Sequence, residues 1–314
     1  MDGLVISMWR LPHVPSSDDL IDNAFKAGSK DGKKARSMGP KKPEKLLTGE
    51  IRRVETAAAV LEGDLNAIVK YFPQYEEMSE FHRSLLDLRV NRDKYKMSLA
   101  TVRWCSERIS FLKNKTLRKL KTLKDTEESR TFLGRASSFV KRIRPELNFL
   151  QEAKVIIMSF PLLRDVPTLV VAGIPNAGKS TFVKTLTGSN VKVAPYPFTT
   201  TEILVGYRKQ RYMEYQIIDS PGILDRPMGE RNHVELQAVL ALRYLADVVL
   251  FIIDPEQDIT PQLNLMEEIR QGFGLQVVTA ANDKGSGTPE GYDPFNATKP
   301  EDCERIFKLC FSLK

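Results

Sequence analysis

A glycine-rich segment at residues 170–185, VAGIPNAGKSTFVKTL, contains residue types that bind phosphate. Gly173, Gly178, Lys179 and Ser180 follow the spacing G-x-x-x-x-G-K-[ST]. Glycines let successive backbone N–H groups face one concavity, and a helix that begins there adds positive potential. The lysine would reach the β- and γ-phosphates, and the serine hydroxyl would bind Mg²⁺. The segment therefore predicts a nucleoside triphosphate site.

Neighbouring residues complete this predicted phosphate loop. The apolar, β-branched run Thr168–Ala172 precedes it and is typical of a buried parallel strand. We expect Asn176, Ala177 and Thr181 to contact the nucleotide together with the motif residues. Asn176 has two interpretations, since its side-chain oxygen could bind a K⁺ ion beside the phosphates or the residue could serve only the geometry of the turn.

A threonine-rich segment, PYPFTTT at 195–201, follows about 20 residues after Ser180. Thr200 could place its hydroxyl on Mg²⁺ and its backbone N–H on the γ-phosphate, but only while that phosphate is present. Thr199 and Thr201 are alternatives for the same role. The segment predicts a loop that responds to the nucleotide state.

The segment IIDSPG at 217–222 is an apolar strand that ends in an acidic residue and a flexible turn. Asp219 would hold Mg²⁺ through water, and the Gly222 N–H would bond to the γ-phosphate. Together with the phosphate loop, these segments predict nucleotide hydrolysis in which Lys179, Thr200 and Gly222 are the catalytic residues. The metal site would comprise Ser180, Thr200 and, through water, Asp219.

Charge is distributed unevenly along the 314 residues. The net charge is +7, but residues 1–165 carry 32 basic and 22 acidic side chains, whereas the remainder carries 15 and 18. The excess predicts a polyanionic partner for the N-terminal half, although a solvated basic face is the alternative. Aromatic residues are not interleaved with the basic clusters, so we expect contacts with phosphate and shape rather than base stacking.

The composition also limits the class of protein. No apolar run approaches the ~20 residues of a membrane span, so no membrane partner is expected. The N-terminal segment lacks the features of a signal peptide. Three scattered cysteines favour a reducing, intracellular compartment.

The hydrophobic pattern divides the chain into two predicted domains, 1–160 and 161–314. In the first, apolar residues at helical spacing predict three long antiparallel helices, at about 51–68, 78–88 and 102–112, and a further helix at about 137–158. Residues 30–49, rich in Lys, Gly and Pro, are expected to form a mobile arm. In the second, strands are predicted at 168–172, 203–207, 213–219, 248–253 and 275–280, with helices at 180–187, 231–245, 261–271 and 300–308.

The motifs GIPNAGKST and YPFTT, and the segment DSPGILDRPMGERNHVELQAVLALRYLADVVLFIIDP, resemble the nucleolar GTP-binding protein family, the Nog branch of the Obg-like GTPases. Near the N-terminus, LPHVPSSDDLIDNAFKAGSK and KYFPQYEEMSEFHRSLLDLRVNRDKY are similar to the helical domain of that family. The resemblance implies an α/β P-loop GTPase domain, doubly wound with a mostly parallel sheet, preceded by an all-α helical bundle. The chain is similar to the short archaeal form of the family.

This resemblance implies GTP binding and slow hydrolysis with Mg²⁺, during assembly of the large ribosomal subunit. The expected partners are GTP, GDP and the precursor particle, whose rRNA and proteins the basic domain would contact. The cytoplasm is the expected location, or the nucleolus if the chain is eukaryotic. A nucleotide-gated scaffold with negligible hydrolysis and an ATPase of the same fold are the alternatives.

Two segments depart from the pattern of the family, and one position departs from that of many other GTPases. Where N-K-x-D should read guanine, the sequence is AANDKGSG; Asn282 fits, but either Asp283 reads the base from a shifted loop or guanine selectivity is weakened. The segment CFSLK at 310–314 resembles the start of the last base-contacting loop, which makes Ser312 a candidate contact and predicts a truncated domain. Ile223 stands where many GTPases have glutamine, which favours slow turnover.

Overall fold

The computed structural model describes residues 10–38, 42–160, 163–188, 191–195, 202–219, 224–285 and 287–312. These residues form two compact units. The helical unit contains the described residues up to 77 and residues 90–158, and the α/β unit contains residues 78–89 and the described residues from 159 onward.

Long amphipathic helices make up the helical unit. They are α1 (Ser17–Met38), α2 (Lys42–Tyr71), α4 (Arg92–Leu123), α5 (Glu127–Arg142) and α6 (Arg144–Met158). Their apolar stripes, including Leu61, Leu65, Val102 and Ile109, are fully buried in the core of the bundle. The single helix predicted at 137–158 is two helices, with a break at Ile143 just before Pro145, a residue suited to the first turn of a helix.

The prediction of a mobile arm at 30–49 is wrong for the described residues in that range, which are helical and belong to α1 and α2. Glycines in this range and just before it permit close packing: a Cβ on Gly32 would lie 2.8 Å from the Gly49 carbonyl oxygen, and one on Gly28 would lie 2.7 Å from that of Arg53. Basic residues near them are fixed by Glu50, a buried carboxylate that accepts hydrogen bonds from Arg36 and from Ser129. The residues that suggested a loop are therefore packing residues.

A short helix, α3 (Glu80–Asp87), contains the apolar stripe predicted at 78–88. It is eight residues long and belongs to the α/β unit, not to the helical unit. Its buried side chains include Phe81, Leu85 and Leu86, and it packs against α8 (His233–Ala241) and the 3₁₀ helix Leu242–Tyr244. The predicted domain boundary at 160/161 would place α3 in the N-terminal domain, whereas in the structure it belongs to the α/β unit.

In the α/β unit, the described residues form a seven-stranded sheet in the order β2-β3-β4-β1-β5-β6-β7. The strands are β1 (Thr168–Ala172), β2 (Val191–Pro195), β3 (Glu202–Gln210), β4 (Met213–Asp219), β5 (Val248–Ile253), β6 (Val277–Asn282) and β7 (Asp293–Phe295). The pairs β2–β3 and β3–β4 are antiparallel, and the other pairs are parallel. The predicted doubly wound, mostly parallel fold is confirmed; β2 and β7 are additional strands.

Helices cover this sheet. Besides α8, they are α7 (Lys179–Thr187), α9 (Ile259–Phe273) and α10 (Pro300–Ser312). Helix α10 packs against α7 and β5, and Cys303, Ile306 and Phe307 are buried in the core there. Among the described helices, none is both long enough and apolar enough to cross a bilayer.

Candidate nucleotide-binding site

The carboxyl ends of four neighbouring strands bring the candidate residues to one edge of the sheet. Val171 of β1 pairs with Asp219 at the end of β4, and Gly173 follows β1 directly. On the other side of β1, Asp254 follows β5 and Asn282 ends β6. In open α/β sheets this edge is where ligands bind.

Glycine is required at two points of the phosphate loop. Gly173 has φ +137°, and a Cβ there would lie 2.4 Å from the carbonyl oxygen of Ile252. Gly178 has φ +102°, and its Cβ would lie 2.3 Å from Nδ2 of Asn282. Asn176 adopts φ +63°, a left-handed conformation that asparagine tolerates better than most residues. The loop is therefore closely packed against β5 and β6.

Lys179 begins α7 and its side chain turns back into the loop. The Nζ atom donates to the carbonyl oxygens of Gly173 and Ile174, each at 2.8 Å. Burial lowers the pKa of this ammonium group, and the carboxylates of Asp219 and Asp225 oppose that shift. The ammonium group thus occupies the concavity in which phosphate oxygens would replace the two carbonyl groups.

Ser180 and Asp219 form the second half of the phosphate side. The Ser180 hydroxyl donates to Oδ2 of Asp219, which is fully buried at the end of β4. Hydroxyl and carboxylate oxygens are ligands that Mg²⁺ prefers, so these two residues fit the predicted metal site. Thr181 is exposed in the next position of α7. Thr200, with its alternatives Thr199 and Thr201, and Gly222 lie outside the described residues.

Asn282 joins the phosphate loop to the other side of the site. Its Nδ2 donates to the carbonyl oxygen of Ala177 at 2.9 Å, and its Oδ1 accepts from the Ala297 N–H at 3.0 Å. The Ala297 carbonyl oxygen in turn accepts from the Thr185 hydroxyl at 2.8 Å. Asn282 and Ala297 are buried. One amide side chain therefore holds together two loops that are far apart in sequence.

The two residues that follow Asn282 have different surroundings. Oδ1 of Asp283 accepts from the backbone N–H groups of Gly285 at 2.8 Å and Gly287 at 3.2 Å, so this carboxylate closes its own turn. Lys284 reaches toward the phosphate loop, where its Nζ lies 3.3 Å from the Asn176 carbonyl oxygen and 3.0 Å from Oδ2 of Asp254. The lysine that lies against the loop is thus displaced by one position from N-K-x-D.

Asp254 is buried and anchors that lysine. Burial by itself would raise the pKa of this carboxyl group, but hydrogen bonds from Lys284, Gln257 and the Glu256 N–H outweigh it and lower the pKa. The ion pair is therefore formed at neutral pH. A lysine fixed in this way lies against the phosphate loop at Asn176, and its ammonium group is already paired.

The placement of the last base-contacting loop at 310–314 is wrong for the described residues 310–312. Ser312 is the last residue of α10, and its hydroxyl donates to the Leu309 carbonyl oxygen. The last strand and helix of the described residues are β7 and α10, whereas the sequence interpretation placed the closing helix of the domain after residue 314. The loop that reaches the site is instead 296–298, between β7 and α10. Sequence reasoning missed this loop, Asp254 and Lys284. The available indication was Lys284 itself, a lysine one position beyond the place where the N-K-x-D motif has one.

Models of known protein families match both halves of the chain. Residues 9–163 match the NOG1 N-terminal helical domain, and residues 168–283 match a 50S ribosome-binding GTPase. The first match contains the helical unit together with α3, and the second begins with β1 and ends just after β6.

Individual proteins are similar along most of the chain. An uncharacterized protein of Methanocaldococcus jannaschii is 36% identical over 87% of this chain and 79% of its own length. Nucleolar GTP-binding protein 1 of Saccharomyces cerevisiae is 29% identical over 95% of this chain and 48% of its own length. A solved structure described as nucleolar GTP-binding protein 1 of Plasmodium falciparum is 27% identical, covering 49% of this chain and 89% of that one with a TM-score of 0.42. The chain thus spans less than half the length of the yeast relative.

Proposed function

The chain belongs to the nucleolar GTP-binding protein 1 family of GTPases, and from that premise we propose that it is a slow GTPase whose nucleotide state controls its association with the large ribosomal subunit during assembly. The observation that carries the proposal is the phosphate side of the site. There, Lys179 is held inside a glycine loop beside the hydroxyl–carboxylate pair of Ser180 and Asp219.

On nucleotide binding, we expect Lys179 to exchange its two carbonyl partners for oxygens of the β- and γ-phosphates. The N–H groups of the loop and of the first turn of α7 would bind the remaining phosphate oxygens. Mg²⁺, held by Ser180 and, through water, by Asp219, supplies charge neutralisation when bound. Gly173, Asn176, Ala177, Gly178 and Thr181 would line the phosphates.

We expect slow hydrolysis because the residue after Gly222 is Ile223. Thr200 and Gly222 would contact the γ-phosphate and so distinguish GTP from GDP. Ile223 cannot donate or accept a hydrogen bond, so it cannot orient an attacking water molecule as a glutamine does. We therefore expect turnover to depend on an activator, which the ribosomal particle or a K⁺ ion beside Asn176 would supply.

The proposed partner is the rRNA and protein of the large-subunit precursor, bound by the helical unit with its excess of basic side chains. The relatives named above carry nucleolar names in eukaryotes. For this chain we propose the cytoplasm if it is archaeal and the nucleolus if it is eukaryotic.

Nucleotide binding, hydrolysis and particle binding together test this function. Binding of fluorescent GTP and GDP should be tight and Mg²⁺-dependent, and single-turnover hydrolysis should be slow alone and faster with large-subunit particles. A chain that binds particles only with GTP but never hydrolyses it, with or without particles, would be the nucleotide-gated scaffold instead. Equal particle binding with GTP, GDP and no nucleotide would contradict the switch.

A second candidate, an NTPase with relaxed base selectivity that also accepts ATP, is favoured by the base side of the site. A guanine base is read by a carboxylate that accepts from its N1–H and 2-amino groups, but Gly285 stands at that position and Asp283 closes its own turn. Competition of GTP, ITP and ATP against labelled GTP separates the candidates. Strong preference for GTP over ITP would exclude the relaxed site.

A further inference from the structure

Trp104 on α4 lies among cationic and aromatic side chains of two helices. The guanidinium carbons of Arg108 on α4 and Arg142 on α5 lie 5.8 and 5.6 Å from its ring centroid. Phe139 of α5 meets the same ring edge to face, with centroids 5.9 Å apart and an interplanar angle of 72°. The sequence interpretation, which found no aromatics among the basic clusters, is wrong here because these four side chains come from segments more than thirty residues apart.

The cluster continues along the seam between α4 and α5. Trp104, Arg108, Phe111 and Lys115 recur at steps of four and three on one side of α4. On α5, Arg135, Phe139 and Arg142 recur in the same way. Phe111 is 63% exposed, and the four arginine and lysine side chains are exposed. We call these seven residues the aromatic–basic seam.

Half of the other basic residues of these helices form an ion pair with a carboxylate, but none of those in the seam does. Lys113 is paired with Glu62 at 2.9 Å, and Arg130 with Glu127 at 3.2 Å. Within the part of the chain that the structure describes, no carboxylate lies within ion-pair distance of Arg108, Lys115, Arg135 or Arg142. Glu107 is the nearest acidic residue in sequence and lies at the next position around α4. The seam is therefore a strip of four cations with no bound counter-charge.

We propose that the aromatic–basic seam is the surface through which the helical unit binds single-stranded RNA, with the arginines on phosphates and with Trp104 and Phe111 against bases. This proposal rests on the proposed function and names the surface that would carry it. The α4 residues of the seam extend over about 16 Å of helix, since each residue rises 1.5 Å. That length matches about five nucleotides at 3.4 Å each.

Charge complementarity favours RNA over an acidic peptide as the partner. Either polymer would satisfy the four cations, but an exposed phenylalanine and a partly exposed tryptophan on the same side of α4 add flat apolar surface. Base faces stack on such rings, at about 1–3 kcal/mol per base in other single-strand-binding proteins. Carboxylate side chains offer no comparable ring.

The test uses the full chain with Trp9→Phe, so that Trp104 is the remaining tryptophan. A short single-stranded RNA of mixed sequence should quench its fluorescence, whereas inorganic polyphosphate should bind without the same quenching. Arg108→Glu together with Arg142→Glu should lower the slope of log K against log salt by about 0.7 for each phosphate that the variant no longer neutralises. Trp104→Leu should weaken RNA binding about tenfold with the slope unchanged, and Trp104→Phe should restore most of it.

Lys70 and Tyr71 provide matched controls, because they form another cation–π pair, at 5.3 Å, away from the seam. Lys70→Glu and Tyr71→Ala should leave RNA affinity within about twofold of the wild type. If Lys70→Glu weakens binding as much as Arg108→Glu does, general charge and not the seam binds RNA, and the proposal fails. Tighter binding of poly-glutamate than of RNA would make the partner a protein and would also overturn it.

Failure of this inference can be separated from failure of the proposed function. Seam variants that still bind large-subunit particles in a GTP-dependent way would remove the seam but leave the function intact. Wild-type chain that binds short RNA but never the particles would contradict the function and keep the seam as an RNA site.

Discussion

The phosphate side and the base side of the candidate site are built in different ways. The phosphate side consists of residues 173–181 plus Asp219, and most of its geometry is local, set by two glycines and the first turn of α7. The base side combines residues 282–284 with the loop 296–298, which meet through hydrogen bonds of Asn282. Local geometry is visible in a sequence motif, whereas an assembly of distant loops is not.

This difference also concerns how each side holds its lysine. Lys179 bonds to neutral carbonyl groups that a phosphate can displace, so its charge is available to a ligand. Lys284 forms an ion pair with the buried carboxylate of Asp254, so its charge is already balanced. The first lysine is suited to binding and the second to shaping the loop.

The largest expected effect is at the phosphate side. Lys179→Ala removes two charge-assisted contacts to phosphate, worth about 1.5–3 kcal/mol each, so affinity for GTP and GDP should fall more than about a hundredfold. Fluorescent nucleotide titration measures it. Lys184→Ala, on the exposed side of the same helix, is the control and should bind as the wild type does. A loss of less than tenfold in Lys179→Ala would mean that the loop amides alone hold the nucleotide.

Removing the link between the two sides should have the next largest effect. Asn282→Ala deletes two hydrogen bonds and leaves the Ala177 carbonyl and the Ala297 N–H without them, for a cost of about 2–4 kcal/mol. The α/β unit should melt about 5–15 °C lower, as measured by calorimetry, and bind nucleotide more weakly. Asn296→Ala, which loses two exposed hydrogen bonds from Thr298 in the same loop, should lower the melting temperature less than Asn282→Ala does. Equal shifts in the two variants would show that Asn282 does not link the sides.

How far the sequence predicted the molecule follows the same division. The five central strands, the phosphate loop and Asp219 were recognised because apolar runs and a contiguous motif encode them. The loop at 296–298 was missed because β7 is three residues long and contains a proline, so no strand pattern indicated it. In the helical unit, Gly32 and Gly49 suggested a loop, since a sequence does not distinguish a glycine that breaks a helix from one that lets two helices approach.

A smaller effect should distinguish the two interpretations of Asn176. Its left-handed φ supports the turn interpretation, but its exposed side chain leaves an oxygen available to a cation. If K⁺ binds there, single-turnover hydrolysis at saturating GTP should be several-fold faster in K⁺ than in Na⁺ at equal ionic strength, because charge near the γ-phosphate stabilises the transition state. Asn176→Gly, which keeps the backbone conformation, should abolish that difference. Identical rates in both salts for the wild type would leave Asn176 as a turn residue.

The smallest effect tests the corrected base side. Ser312 lies at the end of α10 and its hydroxyl bonds within the helix, so Ser312→Ala should change neither nucleotide affinity nor the GTP/ITP ratio by more than about twofold. Thr298→Pro removes a backbone N–H from the loop 296–298 and should weaken binding more. The reverse order of the two effects would favour the base-contacting loop at 310–314 over the loop at 296–298.

Helix α3 has a consequence for the order in which the chain folds during synthesis. Its apolar residues Phe81 and Leu85 are buried in the α/β unit, but α8, against which it packs, follows about 150 residues later. At about 5–20 residues per second, a ribosome needs roughly 8–30 seconds to make that stretch. The helical bundle can close in that interval, since all of its helices precede α8 in the chain, while α3 still lacks the helix against which it packs. For that time the nascent chain carries a ready binding site for a chaperone, which the emergence of α8 then removes.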